Sequence, residues 1–219
     1  PLKSAFGFAS QGLILPAELT GGLPIISVNV EAVDLEFFRV QSDKVANFIK
    51  DFQRSSAKSH WELENLSTLA DSVYLGRFNT NAQPNKRAVS HIPVENIAEL
   101  KSPGLYIAVM KAPGQYQDNY QTAYFFVSDI GLHARRYAKR FEIYAASLRT
   151  GKPLPNVEIN LYTETTDKVK NGLFAKSYTD PQGRTFFETL PDEARLLTAQ
   201  YDNHVSFLFL TDPALDLSE

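Results

Sequence analysis

The sequence has no cysteine in 219 residues, one methionine, Met110, and one tryptophan, Trp61. The missing thiols exclude a disulfide framework, a cysteine-based zinc site and a cysteine nucleophile together. They do not decide the compartment, because cysteine-free proteins are ordinary in oxidising surroundings too. An excess of positive charge is also lacking. The 22 Lys and Arg stand against 25 Asp and Glu, a formal charge of −3, so no net field draws nucleic acid or an anionic membrane. The densest basic run, HARRYAKR at 133–140, reads as a solvated edge strand that its cations protect from aggregation rather than as a phosphate patch. No stretch approaches the ~20 apolar residues of a spanning helix, and no signal peptide opens the chain. Pro1 at the start, the only methionine at 110 and an end just past a strand lead us to expect a piece of a longer polypeptide.

Motifs that carry chemistry are equally sparse. His60, His91, His133 and His204 stand alone, with no pair at metal-ligand spacing. There is no G-x-S-x-G, no glycine-rich phosphate loop and no EF-hand loop. Glu62 and Glu64 lie two apart on an expected helix and so point in different directions. Asp34 and Glu36 share a strand face, which reads as solvated surface more readily than as a glycosidic acid and base pair. The expectation is no catalytic residue, no metal site and no cofactor. Among the aromatics, Phe37, Phe38, Tyr124, Phe125, Phe126, Tyr137 and Trp61 fall mostly in core patterns. Tyr116 and Tyr120, in the polar loop GQYQDNYQ, are the candidates for contact with a partner.

What the chain does have is alternation. In FEIYAASL, Phe141, Ile143 and Ala145 share one face, and Val157, Ile159 and Leu161 repeat the pattern after the turn made by Gly151, Pro153 and Pro155. A third strand pair folds over Asp180, Pro181, Gln182 and Gly183, which suit a four-residue turn. Asp202, Asn203 and His204 mark a hairpin between 195–201 and 205–210. Earlier, 23–40 is a long extended run whose apolar phase slips near Glu31 and Ala32, so a bulge or a tight turn is expected there. Leu105, Ile107 and Val109 alternate with Tyr106, Ala108 and Met110 in a run apolar on both faces, hence central. Helical spacing interrupts this β pattern. Val45, Phe48, Ile49 and Phe52 form one set, with Ser42 or Asp43 as N-cap, and Leu66, Leu69, Ala70 and Val73 a second, behind a capping box of Ser59 and Glu62.

These signals give an all-β chain of two tandem sandwiches. The first spans 1–129 with a helical insertion at about 43–75, the second 130–212, and 213–219 begins a link to a following domain. The boundary falls at 128–131, with Gly131 as hinge. Each half is large enough to bury a core without metal or disulfide support.

SLRTGKPLPNVEINLY followed by YTDPQGRTFFETL, together with GGLPIISVNVEAVDLEFFRV, ADSVYLGRF, GLYIAVMKAPGQY and FFVSDIGLHARRY, resembles the macroglobulin domains of bacterial α2-macroglobulins of the enterobacterial periplasmic type. The resemblance covers nearly the whole chain and implies two consecutive domains, the third and fourth, of a broad-spectrum endopeptidase inhibitor. It further implies a periplasmic parent anchored to the inner membrane by lipidation. As partners it implies neighbouring macroglobulin domains, target proteases and a peptidoglycan-synthesising penicillin-binding protein. A thioester in C-x-E-Q belongs to that family elsewhere, and neither its cysteine nor its motif is in this chain. The competing reading is a surface adhesin or glycan-binding sandwich pair, since TGKPL turns occur in both.

Overall fold

A computed structural model describes residues 2–9, 13–16, 22–52, 57–114, 118–137, 140–163, 172–188, 190–191 and 194–210. The chain divides into two compact units, Pro1–Val127 and Ser128–Glu219. The first contains β1 (Ala5–Phe8), β2 (Leu13–Pro16), β3 (Leu23–Val28), β4 (Ala32–Val40), α1 (Val45–Phe52), β5 (Ala57–Ser59), α2 (His60–Leu66), β6 (Ala70–Asn79), β7 (Arg87–Ile92), β8 (Gly104–Lys111) and β9 (Asn119–Ser128). One sheet runs β1-β3-β7 and the other β2-β9-β8-β4-β6, with β5 also paired to β9. Leu23 and Ile25 on the first sheet and Leu35, Phe37, Tyr106, Met110 and Phe125 on the second form the core between them.

The extended run at 23–40 is two strands in two sheets. The chain turns at Asn29, whose φ is +50°, a conformation that asparagine tolerates better than most residues. Both strands therefore bury their odd positions: Leu23, Ile25 and Ser27 in β3, then Val33, Leu35 and Phe37 in β4. From the letters, Ile26, Val28 and Val30 share one apolar phase and are expected to face the core as Val33, Leu35 and Phe37 do; the structure corrects this, since they are only half-buried.

β8 lies between β9 and β4, central as its two apolar faces imply. Tyr106, Ala108 and Met110 join the inter-sheet core, while Leu105, Ile107 and Val109 are equally buried on the opposite face. The insertion supplies buried apolar side chains of its own, Val45, Phe48 and Ile49 on α1 and Leu66 on α2; the side chain of Phe52 lies outside the described set. Ser42 and Asp43 do not cap α1 from outside, because they belong to a 3-10 turn, Ser42–Lys44, that leads into it. The capping box at α2 is present: the Glu62 amide donates to Ser59 Oγ and the Ser59 amide to Glu62 Oε2. The second helix ends at Leu66, short of the expected run through Val73. The Ser67 and Thr68 hydroxyls donate to the carbonyls of Glu64 and Asn65 at 2.8 and 2.7 Å, satisfying the helix end, and Ala70 already begins β6.

The second unit contains β10 (Ile130–Arg136), β11 (Phe141–Ser147), β12 (Glu158–Thr163), β13 (Leu173–Tyr178), β14 (Arg184–Phe187), β15 (Ala194–Tyr201) and β16 (His204–Phe209). Its sheets run β10-β11-β14 and β13-β12-β15-β16, around Ile143, Ile159, Leu161, Leu197 and their neighbours. β10 is an edge strand, as its basic residues suggested. Gly131, expected as a hinge, instead lies inside β10 opposite Ala146. The Asp180–Gly183 turn closes as expected, with the Gly183 amide donating to the Asp180 carbonyl at 2.8 Å. The strands that it joins are not a ladder pair, however: β13 pairs with β12 and β14 with β11, so the turn carries the chain from one sheet to the other. Only glycine fits its last position, because Gly183 has φ +71° and a Cβ there would stand 2.4 Å from the Ala145 carbonyl oxygen.

Candidate functional site

The residues that could carry chemistry lie apart. His60 is within 3.5 Å of Glu64 on exposed α2, and His91 faces solvent on β7. His133 accepts from Arg135 Nε at 2.9 Å on β10. Among the described residues no group of three His, Asp or Glu could hold a metal ion, and no helix is long and apolar enough to cross a membrane. Asp34 and Glu36 do share a face of β4, but each is committed. Arg77 binds Asp34 in bidentate fashion at 2.7 and 3.0 Å, and Glu36 accepts from Ser72 Oγ at 2.9 Å and Lys111 Nζ at 3.3 Å. The Arg77 hydrogen bond holds the Asp34 carboxyl below its ordinary value, the opposite of what a general acid needs.

Of the two partner-contact candidates, Tyr116 lies outside the described residues. Tyr120 is on β9, paired in register with Lys58 of β5 and half-buried, and Lys111 Nζ sits 5.5 Å from its ring centroid. Among the described residues the most exposed aromatic is Trp61, at 76%. This corrects the expectation that Trp61 falls in a core pattern, although the sequence held the signal against it. The capping box fixes the phase of α2, Leu66 is the buried position, and five residues at 3.6 per turn put Trp61 about 140° around the helix from it. Tyr137 is also exposed, whereas Phe37, Phe125 and Phe126 are core residues as expected.

In the second unit a cluster of hydrogen bonds surrounds Asp129. Its amide donates to His204 Nδ1 at 3.0 Å, and its carbonyl accepts from the Leu148 amide at 2.9 Å. Its carboxylate accepts from Ser147 Oγ and the Arg149 amide, both at 2.8 Å. Every polar group of the residue is thereby held. Burial pushes the carboxyl up, but the Ser147 hydroxyl, the Arg149 amide and the Arg149 charge outweigh it and keep it below its ordinary range. Beside this clamp is a cavity of about 370 Å³, floored by Ile130, Leu154 and Tyr201 and rimmed by Arg149, Lys152 and Asp202. An open cavity with two cations and two carboxylates around it has no single electrostatic preference.

Two family models match the chain end to end: the bacterial alpha-2 macroglobulin MG2 domain over residues 7–125 and the bacterial alpha-2-macroglobulin MG3 domain over 127–219. An alpha-2-macroglobulin of Xylella fastidiosa is 40% identical over all of this chain, which spans 13% of that relative's length. Among solved structures, native Escherichia coli alpha-2-macroglobulin spanning domains NIE-MG1 is 34% identical with a TM-score of 0.84, covering 96% of this chain and 98% of that one. A two-domain piece of the same extent therefore folds by itself. Salmonella alpha-2-macroglobulin reacted with methylamine is 33% identical with a TM-score of 0.78, matching all of this chain and 12% of that one. These findings agree with the resemblance on two consecutive macroglobulin domains of a bacterial α2-macroglobulin. The chain belongs to the bacterial α2-macroglobulin family, as a fragment made of two consecutive macroglobulin domains.

Proposed function

We propose that this chain is a non-catalytic structural segment of a bacterial α2-macroglobulin, a broad-spectrum inhibitor that traps attacking endopeptidases in the periplasm. The observation that carries this reading is the continuous match of two successive family models over residues 7–125 and 127–219. In this reading the two sandwiches move as whole bodies when a bait segment elsewhere in the parent is cut, and any covalent capture is done by residues outside this chain. The parent is anchored to the inner membrane by lipidation. Its partners are target proteases and a peptidoglycan-synthesising penicillin-binding protein, and the partners of this segment are neighbouring macroglobulin domains.

The test is made on the parent, mixed with a broad-specificity protease and run on a denaturing gel, with and without pretreatment by methylamine, the reagent applied to the Salmonella relative. A protease adduct of higher mass that methylamine abolishes is the expected result. A parent that is simply degraded, leaving the protease fully active on protein substrates, would sink the trap reading and favour the adhesin or glycan-binding alternative.

A further inference from the structure

The cations of the basic run at 133–140 gather on one sheet face rather than along one strand. In the three-stranded sheet of the second unit, Phe141, Ile143 and Ala145 of β11 and Phe187 of β14 take the core side. Period two turns the alternate positions outward, and the register sets them in two cross-strand rows, His133–Tyr144–Arg184 and Arg135–Glu142–Phe186. His133, Arg135 and Arg184 are exposed, Phe186 is 53% exposed and Tyr144 is half-buried. Arg184 lies far from the basic run in sequence, and the pairing of β14 with β11 brings it to this face.

The one carboxylate in these rows is already committed. Glu142 accepts from the Tyr144 hydroxyl at 2.6 Å and is ion-paired with Arg140. Arg135 Nε donates to His133 Nε2 at 2.9 Å, which sets the guanidinium beside the imidazole and leaves its two terminal nitrogens for a ligand. Neither Arg135 nor Arg184 has a carboxylate partner among the described residues. They stand at opposite corners of the two rows, about 12 Å apart between Cα atoms by strand spacing and pleat repeat. The whole chain carries −3, so this face is a local reversal of sign. Guanidiniums fork onto carboxylates by parallel N–H donation, and the Tyr144 and Phe186 rings add flat apolar surface between and beside them. An acidic peptide laid on the face would find the backbone of β11 already used by its two ladders, and would lose chain entropy for side-chain contacts alone. A polysaccharide is stiffer and brings pyranose faces to the rings, so less is lost on ordering it. Nucleic acid is held by a longer array of cations than two.

We propose that this face binds a carboxylated polysaccharide, with Arg135 and Arg184 each forking a carboxylate and Tyr144 and Phe186 packing against the sugar rings between them. Such binding is a property added to the scaffold segment and does not depend on whether the parent inhibits proteases. Arg140 keeps Glu142 neutralised, so the middle of the face does not repel the polymer.

The test runs the isolated chain through native gels that contain polygalacturonate, a polymer of carboxylated sugars, with mobility measured against polymer-free gel. Retardation that grows with polymer concentration is expected, and neutral dextran is expected to cause none. Arg135→Gln combined with Arg184→Gln should weaken the association ~10-fold or more. Lys86→Gln combined with Arg87→Gln removes the same charge from the first unit and should leave it within ~2-fold. Phe186→Ala keeps every charge and is expected to weaken it ~3-fold or more. All five substituted side chains are exposed, and unchanged urea midpoints would verify that the variants fold. No retardation overturns the proposal, and so does an equal loss in the two double variants, which would be ion exchange with the chain at large. Tighter association with poly-glutamate would make the occupant an acidic peptide, and tighter association with single-stranded DNA a nucleic acid; either overturns it. Phe186→Ala without effect refutes the ring contact. No protease enters the experiment, so binding in a chain whose parent fails to inhibit would sink the trap reading and leave this one standing.

Discussion

The backbone amide of Asp129 donates to Nδ1 of His204 at 3.0 Å, tying the residue just before β10 to the first residue of β16, 75 positions away. Three further hydrogen bonds hold the Asp129 carbonyl and carboxylate within the same unit. Asp129→Ala removes the two carboxylate bonds and leaves Ser147 Oγ and the Arg149 amide without their acceptor. It is expected to lower the stability of the second unit by about 2 kcal/mol. Urea unfolding of the isolated chain checks this, with the first-unit transition as internal reference.

Acid weakens the fold in a defined direction. Asp34, held first by the Arg77 hydrogen bond, Glu62 by the Ser59 amide and Glu158 by the Asn160 amide all have carboxyls below their ordinary values. For a carboxyl depressed in the folded state, the stabilisation is fully present above the unfolded value of about 4 and is lost as pH falls through the folded value. Urea midpoints are therefore expected to hold steady from pH 7 to 5 and to decline below about pH 4. Asp34→Asn should flatten the part of that decline contributed by the first unit, where Arg77 loses its carboxylate.

At Gly183 the turn between β13 and β14 admits no side chain. Gly183→Ala combines a positive φ with a Cβ 2.4 Å from the Ala145 oxygen, and the Ala145 amide itself donates to the Gly183 carbonyl at 2.8 Å. The expected cost is about 3 kcal/mol. Differential scanning calorimetry should show the second-unit transition lowered or lost and the first unit unchanged.

Ser27 predicts the opposite sign. Its side chain is fully buried on β3, and its hydroxyl has no hydrogen-bond partner. Ser27→Ala removes a desolvated polar group and leaves little void, so the first unit is expected to gain up to about 1 kcal/mol. A lower melting temperature for the variant would show that the hydroxyl does bond in solution.

Trp61 gives the simplest optical check. As the only tryptophan, 76% exposed, it should emit at the red end of the tryptophan range in the native chain, with iodide quenching close to that of the unfolded chain. A blue-shifted, protected signal would mean that α2 presents a different face.

Much of the fold was legible where one local rule governed. The alternation in β11 and β12, the Asp180–Gly183 turn and the Ser59 and Glu62 capping box each rest on residues within a few positions of one another. What stayed hidden depends on the other sheet. Turn chemistry shows that the chain reverses at 180–183, yet pairing β13 with β12 and β14 with β11 is decided by strands that arrive from elsewhere. The same holds at 23–40, where letters alone show a phase slip but not a move between sheets. α2 was read too long because Leu69, Ala70 and Val73 continue its spacing, while the hydroxyls of Ser67 and Thr68 end it.

The central claim is that these two domains are scaffold bodies that keep their internal structure while the parent acts on a protease. Hydrogen exchange of this segment within the parent, before and after reaction with a protease, tests it most directly. Amides of β4, β8, β11, β12 and β15 are expected to stay protected to the same degree in both states, with changes confined to loops and outer faces. Loss of protection in those strands would contradict the account, because the domains would then be remodelled rather than moved.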